Sequence, residues 1–301
     1  MRGRLVVCGN LVQDILVHPV AEPLAWGTTV TVEQIIQSLG GNGGTTSFTL
    51  ATLGVPVTLM SLAGRDAAAS ELIKTLSGAG VETQIELCDL PTSVSVSLAD
   101  NVGRRALLYQ LGASAGNFAR PVILPENAAH FHLNAIYRMR DLRQLGPELL
   151  EQAKRQGLST SVDTQWDHLG EWMSVLEPAL RWTDLLFVNE DEARELTGLR
   201  DAPAAALALQ DTGAAEVVIK LGERGCFAST AEGDFYSEAF PAEPIDTTGA
   251  GDVFVGAYLA ALYRGHPHRV AAKFANRTAA AAVSALGATA GLQKLEFVIS
   301  P

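Results

Sequence analysis

Short, mostly apolar runs alternate along this chain with longer stretches in which apolar residues recur every three or four positions. Leu5–Cys8, Val57–Leu62, Phe131–Leu133, Ser159–Asp163, Leu185–Asn189 and Val217–Leu221 read as buried strands. Between them Thr45–Leu53, Ala67–Ser77, Leu142–Gln156, Glu171–Leu180, Glu190–Thr197 and Pro203–Asp211 read as helices, followed by two long ones over 250–264 and 268–286. This alternation predicts an α/β fold, a mostly parallel central sheet with helices on both faces. Ligands of such sheets bind beyond the carboxyl ends of the strands, so acids and amides that directly follow an apolar run are the first candidates for chemistry.

Two segments depart from the pattern. In 91–110, Val94, Val96 and Leu98 interleave with Ser93, Ser95 and Ser97, then comes an Asp100-Asn101-Val102-Gly103 turn and a second extended run through Tyr109, which is a hairpin pattern. Residues 11–38 carry Val30 and Val32 in a similar alternation. A few strands with one apolar face are not stable alone, so these segments either edge the main sheet or cover something.

Composition sets bounds. The 301 residues, 48% hydrophobic, suffice for one large core, or a core with a small appendage. A formal charge of −11 opposes non-specific binding to nucleic acid or to an anionic membrane. Cys8, Cys88 and Cys226 form no metal or CxxC spacing and read as buried thiols of a reducing compartment. The apolar run after Arg2 and Arg4 is too brief for a signal-peptide core or a membrane span, so a cytoplasmic location is expected. Asn276-Arg277-Thr278 is a glycosylation sequon inside an Ala-rich helical stretch and is discounted. His130, His132, His266 and His268 lack a third ligand at zinc spacing and read as core or surface residues.

The segment with the most chemistry in it is Asp246-Thr247-Thr248-Gly249-Ala250-Gly251-Asp252, which opens an amphipathic helix. With Thr247 or Thr248 as cap, the N–H groups of 249–252 point outward with the positive end of the helix dipole, and Gly249 and Gly251 let an anion come close. Asp252 stands beside that hole, where an acid is also an ordinary dipole partner. Asp14 follows the first strand, as a turn acid or an acceptor of hydroxyls. Asn189-Glu190-Asp191-Glu192 follows another strand and is equally readable as a helix start rich in acids. No GxxxxGK[ST] phosphate loop is present, so phosphate binding would fall to Gly249–Asp252.

The 246–252 segment resembles the C-terminal signature of ribokinase-type (pfkB) carbohydrate kinases, and similar segments follow in the family's order along nearly the whole chain. The resemblance implies that Gly249, Ala250 and Gly251 stabilise a transferring phosphate while Asp252 removes the proton of the acceptor hydroxyl. It implies substrate contacts from Asp14 and from the glycine turn Gly40–Thr46, through Gly41, Asn42 and Thr45. Lys220, Gly222, Gly225, Asn189 and Asn276 would surround the nucleotide. Asn189 and Glu192 would organise Mg²⁺, mostly through water, and Asp246 with the loop around Gly287 matches a K⁺ site of some members. The segments 11–38 and 91–110 would form a β lid over a main domain of 1–10, 39–90 and 111–301, with the lid's free face making a homodimer. The chain departs from the family at Val12 and Thr45, where many members have asparagine, and at Ala69, where they often have glycine. ATP-dependent phosphorylation of a small carbohydrate is therefore expected, with Asp252 held ionised by the anion hole. The alternatives are a nucleoside kinase, whose apolar base would suit the missing amides, and a non-catalytic sensor of nucleotide or sugar.

Overall fold

The computed structural model describes residues 3–20, 24, 26–100 and 105–294. In chain order it contains β1 (Arg4–Cys8), β2 (Val12–His18), β3 (Gln34–Gly40), α1 (Asn42–Thr52), β4 (Val57–Gly64), α2 (Ala67–Gly78), β5 (Glu82–Cys88), β6 (Ser93–Ala99) and β7 (Arg105–Gln110). There follow β8 (Ala128–Asn134), α3 (Leu142–Arg155), β9 (Ser159–Asp163), α4 (Met173–Leu180), β10 (Leu185–Asn189), α5 (Glu190–Thr197), α6 (Ala202–Asp211) and β11 (Glu216–Lys220). The last are β12 (Cys226–Thr230), β13 (Gly233–Ser237), α7 (Ala250–Tyr263) and α8 (His268–Ala282).

Among the described residues the main sheet has nine strands in the order β13-β12-β11-β10-β9-β8-β1-β4-β5. All neighbours pair in parallel except β11 with β12 and β12 with β13. Alternate side chains of one strand enter opposite cores: Leu5 and Val7 pack with α1, α2, α7 and α8 residues, whereas Val6 and Cys8 join the layer of α3 to α6. The strand order reverses between β1 and β8, and a crevice at such a reversal is where α/β sheets take ligands.

A separate four-stranded sheet, β3-β2-β6-β7, stands over that end. Asp66 anchors its root: Oδ1 accepts from Ala69 N, which caps α2, and from Thr92 Oγ1, while Oδ2 accepts from Thr92 N just ahead of β6. These bonds outweigh partial burial and hold the Asp66 carboxyl below its usual range.

Three readings need correction. Val30 and Val32 precede β3 and belong to no strand; pairing with β2 begins at Gln34. The second long helix stops at Ala282 rather than 286, the Asp246 loop bonding through Ile245 N and Asp246 N to Val283 O. Cys8 and Cys226 are buried, but Cys88 on edge strand β5 is only half-buried. The turn at 101–104 lies outside the described residues.

Candidate active site

Helix α7 starts at Ala250 after Gly249, whose φ of 71° is the left-handed conformation that glycine tolerates. A Cβ there would come within 2.4 Å of the Ala288 side chain and 3.3 Å of Thr45 Cγ2, so Gly249, Ala288 and Thr45 are close neighbours. Among the described residues no side-chain hydrogen bond caps the helix, contrary to the expectation for Thr247 or Thr248. Asp246 organises the approach instead, accepting from Thr248 N at 2.9 Å and from Gly287 N at 3.0 Å. Both carboxylate oxygens hold backbone, so Asp246 clamps two loops together. The first amide bonded back to Gly249 O is that of Val253, at 2.9 Å. The N–H groups of Gly251 and Asp252 therefore have no backbone acceptor among the described residues.

The Asp252 carboxylate accepts from Asn42 Nδ2 at 2.7 Å, and Thr46 Oγ1 donates to its backbone oxygen at 3.3 Å. Loss of solvent, then the nearby Asp163, push the Asp252 carboxyl up to about 7, against the pull of Lys220 and Asn42. This corrects the expectation of a fully ionised, weak base: at an uncapped helix start in a crowded site desolvation wins over the favourable dipole. Carboxylates tuned near neutrality are better proton acceptors.

Three strand ends supply the charges around it. Lys220, closing β11, donates from Nζ to Asp163 Oδ1 at 2.6 Å at the end of β9. Burial disfavours the ammonium, but Asp163, Glu192 and Asp252 more than offset this and push the Lys220 pKa up. A Cβ on Gly251 would lie 3.4 Å from Lys220 Nζ, which places the ammonium beside the first turn of α7. After β10, Asn189 and Glu192 form a complete capping box: Glu192 N donates to Asn189 Oδ1 at 2.8 Å, and Glu192 accepts from Asn189 N, Asn189 Nδ2 and Thr164 Oγ1. Burial still raises the Glu192 carboxyl to about 7.

With the three acids ionised, the cluster carries two uncompensated negative charges, which suits a divalent cation. Among the described residues no group of three or more His, Cys, Asp or Glu forms a metal cage. Direct ligation of a metal by Glu192 would break the capping box, whose donors already occupy its carboxylate.

Beside Lys220 and Gly251 opens a cavity of about 630 Å³, lined by Gly222, Gly225, Asn276 and the apolar Phe240, Pro241, Phe254, Ala279 and Val283. Its size and mixed lining suit a nucleotide. Asn276 is buried rather than on a solvated face; its amide donates to Ser237 O and Glu238 O, so it shapes the wall through the β13 end. Gly225 is required at φ 87°, where a Cβ would meet Ser237 O at 2.0 Å. A groove of about 660 Å³ along β5 contains none of these residues.

The other side of Asp252 faces the small sheet. Asp14 pairs with Ser38 and Ser95, and Ser95 with Tyr109, so these four form one rung across the sheet's inner face. Asp14 is buried and its carboxyl lies on the Gly40 backbone. Gly41, at φ 83°, precedes α1 so tightly that a Cβ would strike Asn10 O at 2.6 Å. Asn10 Oδ1 accepts from Asn42 N at 2.9 Å, and Asn10 Nδ2 donates to Tyr109 Oη at 3.2 Å. Thr45 is buried between α1 and α7.

Sequence reasoning missed Asn10, Tyr109, Asn134 and Asp163. Each ends or follows a strand that was read, so position relative to strand ends was the available signal. Asn134 donates to Asn42 O and Thr46 Oγ1. His130 and His132 are core residues as expected: His130 bonds Ser159 and Ser161, and burial lowers its pKa to about 4.

Comparison with known proteins gives a concordant picture. A family model described as pfkB family carbohydrate kinase matches residues 4–295. Ribokinase of Staphylococcus aureus is 25% identical over 312 residues, 99% of each chain. Aminoimidazole riboside kinase of Salmonella typhimurium is 28% identical over 268 residues, 84% of each chain. Among solved structures, Arabidopsis thaliana ribokinase complexed with ribose and ATP superposes with a TM-score of 0.81 at 24% identity, covering 97% of this chain and 96% of that one. A putative ribokinase II of E. coli in complex with ATP and Mg²⁺ gives 0.83 at 22% identity, covering 96% of both.

Proposed function

Since the chain belongs to the pfkB family of carbohydrate kinases, a phosphotransferase family with alcohol acceptors, we propose that Asp252 is the general base for in-line transfer of the ATP γ-phosphoryl group to a hydroxyl of a small carbohydrate. The observation that carries this is the Asp252 carboxyl, raised to about 7 and fixed by Asn42 next to the open amides of Gly251 and Asp252. A base near neutrality takes the hydroxyl proton as the bond to phosphorus forms, and preorganised amides at the helix start meet the charge on the transferring oxygens.

ATP would occupy the cavity beside Gly222, Gly225 and Asn276, with Lys220 at its phosphate end. Asn189 and Glu192 would hold Mg²⁺ through water, the ion supplying charge neutralisation of the phosphates. Asp246 supports a K⁺ effect only indirectly, by pinning the Gly287 loop whose carbonyls such an ion would use. Asp14 would accept hydroxyls of the acceptor, under a lid formed by 11–38 and 91–110 whose closure excludes water. Outward-facing Ile15, Val17, Ile35, Val96 and Leu108 give the lid an apolar outer face that supports a homodimer. Among the described residues no helix is long and apolar enough to cross a membrane.

A riboside kinase among the relatives keeps a nucleoside acceptor in play, and Thr45 beside Gly249 offers a methyl where an amide would prefer a polar sugar. The test is ADP release from ATP over a panel of sugars, sugar acids, sugar phosphates and nucleosides. Turnover of any sugar-type acceptor supports the reading. ATP binding with no turnover of any of them would make the protein a sensor.

A further inference from the structure

The rung of Asp14, Ser95 and Tyr109 leads to an arginine that the kinase reading does not use. Arg138 follows β8 and is half-buried, with its guanidinium carbon 4.6 Å from the centroid of the Tyr109 ring. The other half-buried arginines among the described residues have acidic partners: Arg143 has Asp167, Arg194 has Asp191 and Arg4 has Glu82. Arg138 has none among the described residues, although the chain carries 33 acids against 22 bases. Stacking on an aromatic face leaves the edge of the guanidinium, with its fork of N–H donors, open for a planar or tetrahedral anion.

Its position is tied to the reacting centre by an unbroken chain of contacts. Asp252 accepts from Asn42, Asn42 N donates to Asn10, Asn10 donates to Tyr109, and Tyr109 carries Arg138. Asn10 and Arg138 both lie just past the carboxyl ends of neighbouring strands β1 and β8. On the lid, Asp14 and Tyr109 are separated by two strand spacings, roughly 10 Å, about the length of an open-chain or ring sugar with one substituent.

Resting on the proposed kinase reading, we propose that the acceptor is an anionic carbohydrate. Its carboxylate or phosphate ester binds Arg138 at the end remote from the hydroxyl that Asp252 deprotonates. The general field of a chain at −11 repels such a molecule, so a dedicated cation must select it. A guanidinium matches both anions through paired hydrogen bonds.

The experiment measures ADP release by the full chain with matched acceptors, ribose against ribonate and fructose against fructose 6-phosphate, for wild type, Arg138→Met and Arg138→Lys. The expected result is that one anionic member exceeds its neutral counterpart in kcat/KM by about a hundredfold, the pair identifying carboxylate or phosphate. Arg138→Met should cut that anionic-to-neutral ratio at least about thirtyfold, mainly through KM, and Arg138→Lys should retain part of it. Preference for the neutral member in both pairs overturns the inference, and wild type alone decides this should the variants misfold. An unchanged ratio in Arg138→Met overturns it too, leaving Arg138 as a packing partner of Tyr109. Absence of ADP release with every acceptor overturns the kinase reading and this inference together, whereas turnover of neutral sugars alone overturns only the inference.

Discussion

Asn42 Nδ2 donates to Asp252 Oδ1 at 2.7 Å, joining the first turns of α1 and α7 across 210 residues of sequence. The bond favours the ionised carboxyl, while burial and Asp163 favour the protonated one. Their balance sets the pH at which the proposed base works.

The pH profile follows from that balance. Only the carboxylate accepts a proton, so kcat/KM for the acceptor should rise tenfold per pH unit below about 7 and level off above it. Asn42→Ala removes a hydrogen bond to the charged form, typically 1.5–3 kcal/mol, and should move the inflection up by about one unit or more. A profile with the same inflection in both proteins would show that some other group titrates.

Asp252→Asn should lower kcat by about 10²–10⁴ while ATP affinity holds. Stability should move the other way. The folded carboxyl has a raised pKa, so its contribution is present at low pH and is lost as pH rises from the unfolded value near 3.8 through about 7. The asparagine variant escapes that loss. Its Tm should therefore exceed that of wild type at pH 8, with the difference closing toward pH 4. Thermal melts across that range check the sign.

Glu192→Gln tests whether the capping box also serves Mg²⁺. If the carboxylate organises the ion's waters, the variant should need more Mg²⁺ for half-maximal rate, with Tm little changed because an amide can keep part of the box. A lower Tm with the same Mg²⁺ dependence would leave Glu192 as a cap only.

The parallel central strands were legible because strands covered on both faces are largely apolar, and every residue of Val57–Gly64 is indeed buried, whereas the internal antiparallel strand β12 was not read. Edge strands β5 and β13 were not, since Glu82–Cys88 and Gly233–Ser237 mix exposed polar with buried residues. Asp252 and Glu192 stood out because they sit at helix starts, and Asp14 because it comes soon after the first apolar run, although it lies within β2. Asp163 sat in plain view at the end of a strand that was read, but its partner Lys220 is 57 residues away, and only the fold pairs them. The raised pKa of Asp252 was likewise invisible, because it depends on Asp163 and on burial rather than on the local dipole.

Gly40 gives a steric route to the acceptor site. A Cβ at Gly40 would come within 2.1 Å of Asp14 Oδ2, and its backbone is not in the left-handed region, so alanine there pushes on the carboxylate rather than straining the chain. Gly40→Ala should therefore reproduce, in direction, the loss caused by Asp14→Ala. If Asp14 accepts acceptor hydroxyls, removing it costs about 1.5–3 kcal/mol and raises the acceptor KM by one to two orders of magnitude. The ATP KM should barely move in either variant, since the nucleotide cavity lies beyond Gly251 and Lys220. Steady-state kinetics with both substrates varied decides between roles. Equal effects on both KM values, or none on the acceptor, would mean that Asp14 only packs β2 against Gly40.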